Sequence, residues 1–410
     1  MDSITQIVLA AGVGELILGR KLGNRAMVWG GIAGTIPDLD VLSSPFMTAA
    51  ESLHAHRGFS HSIFFAMLAP LAYSYVLTKL YKNDFYLSRS WKNLVLICGI
   101  LGCVLVGFLP TMIAVFSMDS FWKWPISLLG LGLGFVLFKR FWQHYYKDET
   151  PISHVTFKQW YIFFFWTTIT HPILDCFTVY GTQLFAPISD IRISWDNISV
   201  ADPLYTLLFG IPLVVGAFYK RSDKKRMVFT MLGIALSTMY MNATFFNKNH
   251  VKKVMTSSLK AQQTTYTRVM NNPSILNNIL WSGTVETQDH FLLGQYSLFD
   301  KEAKMLFQEI PKNHHLLSEV KADDFDVNTI KWFSKGYYAA MYRKDGRLQV
   351  NDMRYGTFGG DGMGEDDYIF KFVLEKDSSG YYHIDPASQR PAGNNMQSAF
   401  KALFERLKGI

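Results

Sequence analysis

The stretch His54-Ala55-His56-Arg57-Gly58-Phe59-Ser60-His61-Ser62 gathers three histidines and an arginine within nine residues, at the mouth of a long apolar run. Upstream lies Ile36-Pro37-Asp38-Leu39-Asp40, and far downstream Thr170-His171-Pro172-Ile173-Leu174-Asp175. Imidazoles and carboxylates in this combination read first as a divalent-metal site. All three stretches lie in or beside segments apolar enough to sit in a membrane, and that setting decides the fold. An ionisable group at membrane depth is costly unless a partner or a cation compensates it.

Working outward, the 410 residues divide by composition. Residues 1–246 carry 33 Asp, Glu, Lys and Arg, whereas 247–410 carry 40 in a shorter stretch, an ordinary value for a soluble chain. The expected architecture is therefore a polytopic α-helical membrane domain (residues 1–246) followed by a soluble α+β domain with antiparallel strands (residues 247–410). Candidate spans fall at 4–19, 26–41, 59–78, 93–118, 124–138, 159–180, 203–219 and 227–246. A crossing needs about 20 apolar residues, and several of these are short, so six to eight spans are expected. The net charge of +7 does not point to nucleic acid, because the lysines and arginines of the first half follow a membrane pattern instead. Sixteen of nineteen fall in four clusters: Arg20/Lys21/Arg25, Lys79 to Lys92, Lys139 to Lys158, and Lys220 to Arg226. With those clusters cytoplasmic, both chain ends and every candidate ligand lie on the outward side of a multi-pass protein, and residues 247–410 are extracytoplasmic. Cys98, Cys103 and Cys176 all fall in apolar segments, which indicates neither a disulfide framework nor a cysteine-rich zinc site.

The second half begins with a polar helical stretch near 248–271, closed by Asn271-Asn272-Pro273. Alternating runs at 279–285, 291–296, 337–342, 347–350 and 368–373 read as strands, with Asp345-Gly346 as a hairpin turn. The glycine run Gly359 to Gly364 reads as a loop, and a last helix is expected over 395–408.

Six residues form the expected metal set: Asp38, Asp40, His56, His61, His171 and Asp175. His171 and Asp175 are four apart and share a helix face. His56 and His61 are five apart, so one loop-borne and one helix-borne histidine is expected, with Ser60 or Ser62 capping the helix. Six donors exceed one tetrahedral site, so two metals bind or some residues orient the others. Two imidazoles beside carboxylates suit zinc or manganese better than calcium. Arg57 is the candidate for an anionic substrate group such as a phosphate, and Asp202 is the second catalytic candidate, capping or orienting at the outer rim. Glu15 lies mid-segment as a buried partner or an interfacial mark.

Taken together, Asp2-Ser3-Ile4-Thr5, Pro37 to Asp40, His56 to Ser62, His171 to Asp175 with Tyr180-Gly181-Thr182-Gln183, and Asp202-Pro203 resemble the YdjM-like family of membrane-bound metal-dependent hydrolases. The resemblance covers about residues 1–245. It implies an inner-membrane protein with a divalent-metal site at these positions and names no substrate. The expected function is metal-dependent hydrolysis at the outward membrane face, on a membrane lipid, phosphoester or other small molecule. The alternative is a non-enzymatic transporter or assembly protein whose His/Asp cluster is structural or binds ions; a transporter is expected to show related halves, and no such repeat is visible.

Overall fold

The first two helices pack through their smallest residues. Between α1 (Ser3–Leu22) and α2 (Asn24–Thr35) stands only Gly23, whose φ of 61° reverses the chain. A computed structural model describes residues 1–82, 84–117, 123–143, 154–357, 364–389 and 396–409. In it, a Cβ on Gly30 or Gly34 of α2 would collide with Ala10 of α1. Small residues permit such close approach between helices where lipid supplies no hydrophobic drive to associate. Asp2 caps α1, accepting from the Thr5 backbone N–H at 3.0 Å.

At Ile36-Pro37 the chain changes from α-helix to a 3-10 helix, Ile36–Phe46, which carries Asp38 and Asp40. Thr48 and Glu51 then close a reciprocal capping box on α3 (Ala49–Ala55). After a 3-10 turn, Phe59–His61, the Ser62 hydroxyl accepts from the Phe65 N–H at 3.1 Å and starts α4 (Ile63–Lys82). The helical part continues with α5 (Arg89–Ser117), α6 (Lys123–Phe141), α7 (Phe157–Asp175), α8 (Pro203–Ala217) and α9 (Lys224–Ala261). The chain forms two compact units, residues 71–161 and the remainder.

Three of the described helices, α1, α4 and α9, are long and apolar enough to cross a membrane, so the expected count of six to eight is not supported. The expected span at 26–41 is cut at Pro37, which lacks the N–H an α-helix would use there. α8 is apolar but only 15 residues long, and α7 is diluted by Lys158, His171 and Asp175. Residue 118, the end of the expected fourth span, lies outside the described residues. Large apolar side chains on α8 and α9, among them Leu207, Ile211, Val214, Val228 and Met239, face outward, as a lipid-contacting surface requires. Inside, Glu15 of α1 meets Arg226 of α9 in a two-pronged ion pair at 2.5 Å, which also ties in Asn24.

α9 runs 38 residues, about 57 Å at 1.5 Å per residue, longer than a bilayer's hydrocarbon is thick, and leads into the second half. The residues expected to close a polar helix, Asn271-Asn272-Pro273, lie instead in a strand, where the buried Asn271 side chain donates to the Lys248 carbonyl of α9 at 2.9 Å. Two four-stranded antiparallel sheets follow: β1 (Arg268–Pro273), β2 (Leu280–Glu286), β3 (His290–Ser297) and β4 (Phe307–Pro311), then β5 (Tyr338–Tyr342), β6 (Leu348–Asp352), β7 (Lys371–Lys376) and β8 (Tyr382–Ile384). Asp345-Gly346 does join β5 to β6, with Gly346 at φ 83°. Most of the expected glycine loop, 358–363, lies outside the described residues. The first sheet packs on α9 through Val251, Met255, Leu259, Trp281 and Val285. The second packs on α10 (Phe325–Phe333), and α11 (Met396–Leu407) ends the chain.

The core of that second sheet includes residues from far upstream. Ala50 and Leu53 of α3 are buried with Val327, Ile330, Phe333 and Phe372. The Leu53→Ala variant should therefore destabilise the C-terminal sheet by about 2–5 kcal/mol, the cost of emptying a buried leucine site. Hydrogen exchange at β5 to β8 measures it; protection unchanged from the parent would mean that α3 is a spectator.

Candidate metal centre

Three elements bring the central donors together. The 3-10 helix supplies Asp38, the turn before α4 supplies His61, and α7 supplies His171 and Asp175. Asp38, His61 and His171 form a group that could hold a metal ion, with one donor atom of each within 4.8 Å of the others. The Nε2 atoms of His61 and His171 face each other at 3.1 Å, and Asp38 Oδ1 lies 3.4 and 3.3 Å from them. Asp175 Oδ2 is 3.5 Å from both nitrogens and receives no hydrogen bond. Both histidines and Asp175 are fully buried.

The far side of each ring fixes its tautomer. His171 Nδ1 lies 2.5 Å from the Gly34 carbonyl, which can only accept, so Nδ1 carries the proton. His61 Nδ1 lies 3.0 Å from the Ser60 hydroxyl and 3.5 Å from Asp40 Oδ2. The Ser60 hydroxyl itself reaches Asp40 at 3.4 Å, so the proton runs from ring to hydroxyl to carboxylate. When both rings are neutral, the two Nε2 lone pairs therefore point into the cluster. Two lone pairs and two carboxylate oxygens facing one another repel unless a cation or proton lies among them. The donor set fits a divalent metal: imidazoles held by carbonyl and carboxylate on the outer side, carboxylates within.

The remaining expected residues are not at the centre. Asp40 accepts from the Arg57 N–H at 3.0 Å and meets His56 Nδ1 at 3.2 Å, so it sits behind His61. His56 turns toward Asp40 and the edge of Tyr180. Arg57 is buried, with Nε 3.3 Å from Asp175 Oδ2 and Nη1 donating to Thr178 at 3.0 Å. Asp202 caps α8, accepting from the Leu204 and Tyr205 N–H groups at 3.1 Å and from the Tyr240 hydroxyl at 2.8 Å. Burial pushes the Asp202 carboxyl upward, and those bonds oppose the shift. His54 stacks on Trp332 at 4.6 Å, away from the donors.

Four contributors went unrecognised in the sequence. Gln6 donates to Asp175 Oδ1 at 3.0 Å, which also accepts from the Met1 amino group. Ser60 and the Gly34 carbonyl set the tautomers. Arg192 clasps three carbonyls, those of Tyr180, His56 and Gly181, at 3.1 to 3.3 Å. Its guanidinium lies 4.5 Å from the centre of the Tyr180 ring and 5.3 Å from those of Trp332 and Phe333, and burial lowers it to about 10. Its place outside the basic clusters was the one available signal.

The backbone at this junction is tightly held. Arg57 adopts φ 57°, uncommon for a residue with a side chain, while Gln183 donates its N–H to the Arg57 carbonyl at 3.0 Å and its side chain to the His54 carbonyl at 2.6 Å. The loop after α7 thus fixes the loop before α4.

No match was found among curated proteins or among solved structures. The family model for the YdjM inner membrane protein matches residues 1–130 and 124–251, which take in Asp38, His61, His171 and Asp175. With well over half of its length matched, this chain belongs to the YdjM inner membrane protein family.

Proposed function

We propose that the chain is a multi-pass inner-membrane, metal-dependent hydrolase working at the outward membrane face on a lipid or phosphoester. The observation that carries this reading is the pair of histidine Nε2 atoms converging at 3.1 Å beside two carboxylates in a buried site. The ligand set we assign is Asp38, His61, His171 and Asp175, holding zinc or manganese. A bound divalent metal supplies Lewis acidity toward an ester or phosphoryl oxygen and makes a water nucleophile available at neutral pH. Asp40 and Gly34 hold the two rings by their Nδ1 sides, His56 steadies Asp40, and Arg57 offsets the charge of Asp175 rather than meeting substrate.

The orientation is supported by where the polar ends of the helices lie. Arg221 donates to the Lys21 carbonyl and the Asn24 side chain to that of Ala217, so two of the basic clusters share one end of the helical layer. The donor cluster lies at the opposite helix ends, where α9 also runs on into the strands. Positive residues toward the cytoplasm then put the cluster and residues 247–410 outside.

Purified protein should carry near-stoichiometric zinc or manganese. His171→Ala and Asp175→Asn should each weaken metal binding at least about tenfold, as loss of even an outer partner does, while His315→Ala leaves it unchanged. Full metal content in both variants, with normal folding, would make the pair structural and put the transporter or assembly role in its place. For orientation, single cysteines at Thr48 and Ser379 in a background lacking Cys98, Cys103 and Cys176 should react with an impermeant thiol reagent in cells with a permeabilised outer membrane. One at Ser222 should be protected, and the reverse pattern would invert the topology.

A further inference from the structure

Beside the cluster runs a groove of about 410 Å³, within the range of about 300–1,000 Å³ usual for small-molecule sites. Asp40 and Ser60 line it on the cluster side, and Pro187, Ser189 and Asp190 line it on the other. Asp40 joins groove to cluster, since its Oδ2 lies 3.5 Å from the Nδ1 of His61. Whatever enters the groove therefore stands one side chain away from the donor atoms.

Both walls carry large apolar side chains turned outward. On the segment bearing Asp40, Leu42 and Phe46 are 66% and 88% exposed. Along 185–191 Ala186, Pro187, Ser189 and Asp190 line the groove, while the neighbouring Phe185, Ile188 and Ile191 are exposed, Ile188 at 78%. Exposed apolar side chains beside a groove that holds two carboxylates are unfavourable against water and mark a membrane or ligand surface. It suits an occupant with a polar head and apolar chains. The charge of the lining narrows the head. Asp40 and Asp190 are its charged residues, and among the described lining residues there is no lysine or arginine. A net-anionic head is repelled by such a slot, whereas a head with an ammonium group is attracted.

Building on the hydrolase reading, we infer that the groove admits the head of a zwitterionic membrane phospholipid, its amine toward the carboxylates of Asp40 and Asp190 and its chains along Phe46 and Ile188. The test uses the full-length protein reconstituted in phosphatidylcholine vesicles containing photoactivatable phosphatidylethanolamine or phosphatidylglycerol. Cross-linking should favour the phosphatidylethanolamine probe and map to residues 185–191. Asp190→Lys, a change at an exposed position, should reverse that preference, by about fivefold or more for a charge inverted near a membrane surface. Ile188→Asp should lower cross-linking of both probes. Equal labelling of the two lipids, or a preference that survives Asp190→Lys, overturns the inference. Release of products from the same vesicles is followed separately by mass spectrometry. Selective cross-linking without product upholds the lipid site and removes the hydrolase reading; turnover of a soluble phosphoester without lipid cross-linking does the opposite.

Discussion

Two imidazole nitrogens that face each other at 3.1 Å in a fully buried setting govern everything around them. In bulk water each would take a hydrogen bond from solvent. Here both rings are fully buried and each has its one N–H committed outward, His171 to Gly34 and His61 toward Ser60 and Asp40. The repulsion between the two nitrogens, and between them and the oxygens of Asp38 and Asp175, is relieved by a cation or a proton in their midst. Arg57 answers part of this from behind Asp175, but its Nε reaches the carboxylate and not the nitrogens. A divalent cation is one such charge, and Asp38, His61 and His171 form a group that could hold it.

The helical layer is arranged to make that geometry reachable. The Gly34 carbonyl can accept from His171 only because α2 lies close against α1, and that closeness depends on Gly30 and Gly34 having no side chains to strike Ala10. At the other end of α1, the Glu15–Arg226 pair locks the same helix to α9. Removing one partner of a buried pair leaves an uncompensated charge, which costs about 3–5 kcal/mol, so the pair opposes sliding of α1 along α9. Packing, polar anchoring and ring orientation are thus successive consequences of a few small or charged residues in otherwise apolar helices.

How much of this was legible depended on whether the signal was local. The i, i+4 step of His171 and Asp175 fixes a shared helix face, and the two do meet at 3.5 Å. The strands at β2, β3, β5 and β6 followed from alternation, and Asp345-Gly346 from turn chemistry. Span lengths were less readable, because Pro37 cuts an apolar run in a way that composition averages away. Within the histidine-rich stretch, nothing in the spacing said which ring would face Asp38. That is settled by the left-handed backbone at Arg57, which sends His56 toward Asp40 and leaves His61 to the cluster. Gln6, Ser60 and Arg192 act through contacts with residues distant in sequence or through common side chains, and such contacts leave no periodic trace.

The left-handed Arg57 also explains why the second half of the chain matters to a site it does not touch. A non-glycine residue in that conformation costs about 1–3 kcal/mol and persists only where its surroundings over-determine it. The surroundings here come from both halves. Asp40 holds the Arg57 N–H, Gln183 holds its carbonyl, and Arg192 holds the carbonyl of His56 just before it. Arg192 is in turn packed against Trp332 and Phe333, and α3 is set in the same core through Ala50 and Leu53. Formation of that core therefore draws α3 and Arg192 into place together, and with them the backbone from which His61 departs. The C-terminal sheet acts on the donors by constraining a loop, and that constraint is mechanical rather than chemical.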